Sequence, residues 1–309
     1  MAAPSVSPPS VAGRRASVGD YVALAKPGIT ALILTVALGG FLLASPGAID
    51  WSRLAILLVC GAAGSAGAAM LNHYLDRDLD GRMRRTRERP LPGERIAPSG
   101  IVAGLGLGFL GLGVGAASWL LNPLTGFAIF LGGLFYVVVY TAWLKRRTSW
   151  NIVIGGFAGS APALAGSAAA VGSFTPGVIA FAVLVFFWTP PHFWSLALLL
   201  KDDYARAGLP MLPRMDDVAF SGRVVVVSAA LLVPAAVLIG LTGALVWPVF
   251  VLLVALGLVF VALTLPLWRE VTRPIARRGF LYSGPYLLGV VVAIIANAPL
   301  LRLGIPTGL

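Results

Sequence analysis

Nine times between residues 28 and 301 the chain runs apolar for about the 20 residues that an α-helix needs to cross a hydrocarbon core. The runs fall near 28–45, 53–75, 99–121, 124–144, 150–170, 177–200, 222–244, 247–268 and 280–301. In lipid every backbone N–H and C=O must be satisfied within its own segment, so runs of this length fold as helices. With 58% hydrophobic and 11% charged residues, little remains for a soluble domain. The expectation is an all-α integral membrane protein with nine transmembrane helices. Residues 1–25, rich in Pro and Ser and without a long apolar core, read as a disordered cytoplasmic lead-in to a polytopic domain over 26–309.

The formal net charge of +11 would suggest nucleic acid in a soluble chain, but the positions of the bases exclude that reading here. Of 23 Lys and Arg, 21 lie before run one or after runs two, four, six and eight; only Arg53 and Arg302 fall on the other side. Basic residues beside short loops stay inside, so this alternation predicts a cytoplasmic N-terminus and an external C-terminus in the plasma (inner) membrane. It also requires the apolar stretch 29–44 to be kept as a span rather than cleaved as a signal. The lone Cys60 sits inside a run and cannot form an intrachain disulfide. Of 12 acids, only Asp50 lies outside, and the rest gather mainly after runs two and six. Topology does not demand acids there, so chemistry on the cytoplasmic side is expected, with membrane lipid as surroundings.

The stretch "NHYLDRDLDGRMRRTRERPL" at 72–91 concentrates that chemistry. Asn72, Asp76 and Asp80 recur every four residues, so along a helix they drift only about 80° and span about 12 Å. They share one face, while Asp78 points elsewhere, towards solvent or Arg82. At a helix C-terminus the dipole disfavours carboxylates, and a cation must compensate. Ion pairs one turn apart, Asp78 with Arg82 and Asp80 with Arg84, are one solution. The other is Mg²⁺, a hard cation that keeps several waters and shares its shell with substrate phosphates, with neighbouring arginines gripping the phosphate oxygens. In run six, Pro190 and Pro191 remove hydrogen bonds to the carbonyls of Phe186 and Phe187 and predict a bend beside His192. The glycine-rich runs, "GAAGSAGAAM" from 61 and "GLGLGFLGLGVGAAS" from 104, predict close helix contact.

The Asn72-x-x-x-Asp76-x-x-x-Asp80 pattern resembles the first aspartate motif of the UbiA-type intramembrane prenyltransferases. Two further segments, "YTAWLKRRTSWNIVIGGFAGSAPALAG" at 140–166 and "WTPPHFWSLALLLKDDYARAGLPMLP" at 188–213, resemble the heme-farnesylating branch of that family. The resemblance covers about 26 to 303 and implies a UbiA-type bundle of two four-helix pseudo-repeats plus one helix. A weak echo of acids, bases and a proline turn after runs two and six agrees with such halves. The resemblance also implies farnesyl diphosphate and heme B as substrates, with Mg²⁺ as cofactor held by Asn72, Asp76, Asp80 and Asp203. Asp76, Asp80, Asp203 and Tyr204 would be catalytic. Lys26, Arg85, Arg89, Lys145, Arg146, Asn151 and His192 would bind substrate, His192 by ligating heme iron or contacting a propionate. Heme A synthase or oxidase assembly proteins would be further partners. The second motif departs from the family's usual Asp-x-x-x-Asp, since position 206 is Arg. His73 reads as a helix-interface residue, and Tyr74, Tyr140, Tyr204 and Trp194 as aromatic faces for an allylic cation.

Three other readings compete. A sibling prenyltransferase using an aromatic quinone precursor would share Asp76 and Asp80. A noncatalytic heme-binding scaffold would need only the later segment. A transporter would place ionisable groups near the midplane, whereas here they cluster at one edge.

Overall fold

A computed structural model describes residues 16–45, 47–212 and 217–307. Among the described residues there are helices and no strand, and nine helical stretches are long and apolar enough to cross a membrane. They are Pro27–Ala44, Trp51–Arg82, Gly100–Leu120, Pro123–Arg146, Asn151–Val171, Pro176–Leu199, Val218–Leu241, Trp247–Trp268 and Arg273–Arg302. Each expected run is matched. The largest shifts are at the charged ends: the second stretch runs on to Arg82 and the ninth begins at Arg273, because a helix that has left the hydrocarbon keeps its backbone bonds while its side chains turn polar.

In chain order the helices are α1 (Val18–Leu24), α2 (Pro27–Ala44), α3 (Trp51–Arg82), α4 (Gly100–Leu120), α5 (Pro123–Leu134), α6 (Asn151–Gly155), α7 (Phe157–Val171), α8 (Pro176–Leu199), α9 (Lys201–Arg206), α10 (Val218–Ala230), α11 (Leu232–Leu241), α12 (Trp247–Thr264) and α13 (Arg273–Arg302). The expectation of a disordered 1–25 is corrected over its last part; residues 1–15 lie outside the described residues. Ser17 and Asp20 form a reciprocal capping box that starts α1, Leu24 is fully buried, and Asp20 Oδ1 accepts from Arg95 Nε at 2.8 Å. That ion pair ties α1 to the loop after α3.

Small residues set how closely the helices approach. A Cβ at Gly40 of α2 would stand 2.2 Å from the Ala163 carbonyl oxygen of α7, and one at Gly166 of α7 would stand 2.2 Å from that of Ala37. On α4, Gly106 and Gly113 press against α3, whereas Gly104, Gly108, Gly111 and Gly115 meet nothing within 4 Å. One glycine face therefore serves packing and the other does not.

Two segments test how regular the helices remain near the polar groups. After α5 the fourth stretch widens into a π-helix over Phe135–Trp143 and then tightens into a 3₁₀ turn at Leu144–Arg146. By contrast α8 runs unbroken through Pro190 and Pro191. Thr189 Oγ1 donates to the Val185 carbonyl, and Trp188 Nε1 reaches out of the helix to the Ser283 carbonyl of α13.

Candidate active site

The end of α3 carries the expected face. Asn72, Asp76 and Asp80 are 3%, 2% and 1% exposed, so the protein has buried carboxylates at the end of a helix where its dipole disfavours them. What covers and compensates them is the π segment and the residues after α3. Thr141 Oγ1 donates to the Tyr136 carbonyl at 2.7 Å and accepts from Asn72 Nδ2 at 2.9 Å. Asn72 Nδ2 also donates to Asp76 Oδ2 at 2.8 Å, while Asn72 Oδ1 accepts from Lys26 Nζ. With one acceptor hydroxyl, one carboxylate and one ammonium-bearing side chain as neighbours, only one amide orientation satisfies all of them. The Asn72 oxygen is held towards the cationic side.

Asp76 Oδ2 also accepts from Lys145 Nζ at 2.6 Å, and Asp80 Oδ2 accepts from Arg89 Nη1 at 2.8 Å. Arg89 reaches back because buried Thr86 donates to the Asp80 carbonyl at 2.8 Å and folds the chain after α3 against its own helix. Lys26 Nζ donates in addition to the Tyr136 hydroxyl at 3.0 Å. Thr86 and Thr141 lie within the quoted segments and Tyr136 outside them, but all three are uncharged and stand off the aspartate pattern, so its spacing did not single them out.

The donors suit a hard cation. Asp76 Oδ1 is a buried carboxylate oxygen with no hydrogen-bond partner, a costly state that an ion would relieve. Two carboxylates and one amide oxygen match the few protein ligands that Mg²⁺ takes beside water and phosphate. Among the described residues no group of three or more His, Cys, Asp and Glu is gathered as a metal cage, so a set here would have to draw on Asn72. Asp203, expected as a fourth ligand, is not brought into that set. It pairs with Arg206 and accepts from the Arg84 amide at 3.4 Å. Burial pushes its carboxyl up, but Arg206 and the Arg84 and Arg85 amides outweigh this and hold it below the usual range. Position 206, the departure from the family pattern, thus supplies the cation that occupies Asp203.

Arg146 lies on another face. Its guanidinium forks onto both oxygens of Asp78, at 2.8 and 2.9 Å, and bonds the Leu75 carbonyl, so it sits on the opposite face from Asp76. Asp78 therefore pairs with Arg146 instead of Arg82, and Asp80 with Arg89 instead of Arg84, because the π segment and the fold-back bring better-placed guanidinia than the helix itself offers. Arg85 makes no side-chain bond among the described residues, but its charge acts on Lys26 and Tyr204, which places it beside the cationic group.

Below these groups lies an apolar cluster that includes Leu79, Met83, Ile152, Trp194, Leu198 and Met211, with Tyr140 and Tyr204 packed against it. Three of the four expected aromatic faces thus converge next to the α3 carboxylates. Tyr74 does not join them; it packs with Leu24 and Met70 and is covered by the Arg77 guanidinium, 4.5 Å from its ring. Asn151 lies fully buried at the start of α6, donating to the Thr148 carbonyl and the Met211 sulfur, with its Oδ1 unpartnered. His73 is buried, with no hydrogen bond and its Nδ1 4.0 Å from Asp80 Oδ2. His192 stands apart from the carboxylates, on α8 against α13, stacked on Trp188 with ring centroids 4.6 Å apart.

The chain is similar to several known proteins. The chain is 42% identical over 277 residues to a protoheme IX farnesyltransferase of Metallosphaera sedula, covering 89% of this chain and 94% of that one. A protoheme IX farnesyltransferase of Sulfurisphaera tokodaii is 40% identical, with 89% and 92% covered. One from Hahella chejuensis is 36% identical, with 90% and 93% covered. In fold it is similar to a digeranylgeranylglyceryl phosphate synthase (TM-score 0.76, 17% identity, 91% and 98% covered). It is also similar to a UbiA homologue of Archaeoglobus fulgidus bound to GPP and Mg²⁺ (TM-score 0.68, 18% identity, 89% and 99% covered). The model of the UbiA prenyltransferase family matches residues 32–284, most of the chain, and the protein is a multi-pass membrane protein that belongs to that family.

Proposed function

We propose that this chain transfers the farnesyl group of farnesyl diphosphate to a vinyl group of heme B, with addition of water, releasing diphosphate and giving heme O. The observation that carries the site is the unpartnered Asp76 Oδ1 within a face of two carboxylates and an oriented amide oxygen, ringed by Lys26, Arg89 and Lys145. Asn72, Asp76 and Asp80 would hold Mg²⁺, which when bound supplies positive charge to a diphosphate leaving group. Asp203, tied to Arg206, would instead order the α9 end of the site.

The chain's own cations do the rest. When the diphosphate arrives, Arg89 and Lys145 exchange carboxylate oxygens for phosphate oxygens, Lys26 turns from the Asn72 amide oxygen and the Tyr136 hydroxyl, and Arg85 adds its charge; all four stabilise the departing group most when its C–O bond is fully broken. The allylic cation left behind meets the apolar cluster carrying Tyr140, Tyr204 and Trp194, whose ring faces attract positive charge and whose bulk excludes water. A vinyl carbon of the porphyrin attacks the farnesyl carbon, and water adds to the cation formed on the other vinyl carbon, losing a proton. The basic end of the bundle lies in the cytoplasm by the positive-inside rule.

Incubating the purified protein with heme B, farnesyl diphosphate and Mg²⁺, then extracting and weighing the heme, tests this. The expected product gains one farnesyl group and one hydroxyl, and both EDTA and Asp80→Asn abolish it. Prenylation of 4-hydroxybenzoate in place of heme would overturn the acceptor, and heme taken up with no diphosphate released would overturn the enzyme.

A further inference from the structure

We propose that Ser283 is a positioning residue that fixes His192 as the tautomer protonated on Nδ1, leaving the Nε2 lone pair to ligate the iron of the porphyrin substrate. This rests on the proposal that heme is the acceptor. A single hydrogen decides the tautomer. Ser283 Oγ lies 2.5 Å from the Phe280 carbonyl oxygen and 2.6 Å from His192 Nδ1. Two oxygens so close must hold a proton between them, and a carbonyl has none to give, so the single hydroxyl hydrogen is committed to Phe280. Towards His192 the hydroxyl then offers only lone pairs. A ring nitrogen at 2.6 Å must bring its own hydrogen, so Nδ1 is the donor and a neutral ring is unprotonated at Nε2.

The surroundings hold the ring to this geometry. Ser283 is fully buried, and its carbonyl accepts from Trp188 Nε1 at 2.8 Å, which binds α13 to α8 one turn before His192. The imidazole is stacked on Trp188 at 19° and flanked by Phe280, with centroids 5.2 Å apart. One turn further along α8, Gly279 lets α13 come close, since a Cβ there would stand 3.1 Å from Ser195 Oγ. Nε2 makes no hydrogen bond among the described residues, yet it is not one of the polar atoms sealed in the interior without a partner. An unprotonated ring nitrogen can accept or bind a metal but cannot donate, so it suits iron and does not suit a propionate carboxylate. Donation of the other ring N–H to a neighbouring oxygen is the general way a protein orients a metal-binding histidine.

The chain contains only two histidines, so ¹⁵N-imidazole labelling reads the tautomer directly, with His192→Ala assigning the signals. The expected spectrum of the wild-type protein without heme shows His192 protonated on Nδ1; protonation on Nε2 overturns the proposal. In a titration with ferric heme B, the wild type should give a nitrogen-ligated Soret band that His192→Ala abolishes. Ser283→Ala should weaken heme binding about 10- to 100-fold, and Ser283→Thr, which keeps the hydroxyl, should restore it. Heme binding by Ser283→Ala equal to wild type, or no histidine-dependent Soret shift, overturns the proposal whatever the transfer assay gives. A histidine-dependent shift with no farnesylated heme by mass would leave the ligation standing and overturn the functional reading instead.

Discussion

Replacing Lys145 by Met should destabilise the protein without metal and make its stability depend on Mg²⁺. The Lys145 ammonium lies 2.6 Å from Asp76 Oδ2, and the two side chains are 11% and 2% exposed. Removing one partner of so buried a pair costs about 3–5 kcal/mol, because the remaining charge loses its contact counterion where no water replaces it. Asn72 Nδ2 still donates to the same oxygen at 2.8 Å, which places the loss at the lower end of that range. A cation that binds the folded state at 100 times its Kd returns about 2.7 kcal/mol, nearly the whole deficit. In the wild type the ammonium must first be displaced from the oxygen that the ion takes, so the same Mg²⁺ should raise its stability less. The assay is thermal unfolding in detergent of wild type, Lys145→Met and Lys145→Met with Asp76→Asn, each with EDTA and across a Mg²⁺ series. The single variant should melt several degrees low in EDTA and recover with Mg²⁺, and the double variant should melt near wild type and ignore the metal. If Lys145→Met melts within a degree of wild type in EDTA, or gains no more from Mg²⁺ than wild type does, the reasoning about this pair is wrong.

Thr141→Val keeps the shape of a fully buried residue but leaves one Asn72 amide hydrogen unpaired, a cost of about 1–3 kcal/mol; the Mg²⁺ needed for half-maximal diphosphate release should rise about tenfold, and Thr141→Ser should not show this. Gly40→Ala puts a carbon 2.2 Å from the Ala163 oxygen and should lower the melting temperature sharply, whereas Gly104→Ala, with nothing within 4 Å, should leave it unchanged or raise it. The Asp20 carboxyl is lowered to about 2 by the Ser17 backbone N–H, then by Arg95 and the Ser17 hydroxyl. Because the folded value lies below the unfolded 3.8, its contribution is present above pH 3.8 and lost as pH falls through about 2; carbon-detected titration should show that midpoint, and Arg95→Gln should move it part of the way back.

Whatever depends on local period was readable from residues alone. Run length gave nine spans, and a four-residue repeat placed Asn72, Asp76 and Asp80 on one face, because both are properties of a single helix. Partners contributed by other elements were not readable. Asp78 was matched to Arg82 one turn away, but the guanidinium that reaches it is Arg146, 68 positions later, carried there by a π-helix that no apolar pattern signals. Asp80 was matched to Arg84, yet a neutral threonine, Thr86, turns the chain so that Arg89 arrives instead. Asp203 illustrates a third kind of failure: its departure at position 206 was visible, but that Arg206 would bind it locally became apparent only once α9 closed the turn. The lead-in was misjudged because composition outweighed the Ser17-x-x-Asp20 capping box in front of a short apolar helix.

The surroundings of the two polar groups explain why one bundle can serve two such different substrates. α3 has 32 residues. At 1.5 Å each it is about 48 Å long against a hydrocarbon core of about 30 Å, so roughly its last dozen residues lie beyond the apolar layer if Trp51 marks the far edge. Asn72, Asp76 and Asp80 fall in that dozen, at the level of lipid headgroups, and are dry only because the π segment and the chain from Met83 to Arg89 cover them. His192 sits seven residues before the end of α8, among Trp188, Phe193 and Phe280. Hard oxygen donors and cations at the boundary suit the head of an amphiphile whose tail remains among the helices. A neutral ring nitrogen among aromatic rings suits a flat, apolar macrocycle with one metal at its centre, in surroundings where a charged ligand would be far more costly to bury. Exchanging the two sets would leave carboxylates among aromatic rings with no cation to pair with, so the separation of the two groups follows from solvation before any chemistry is considered.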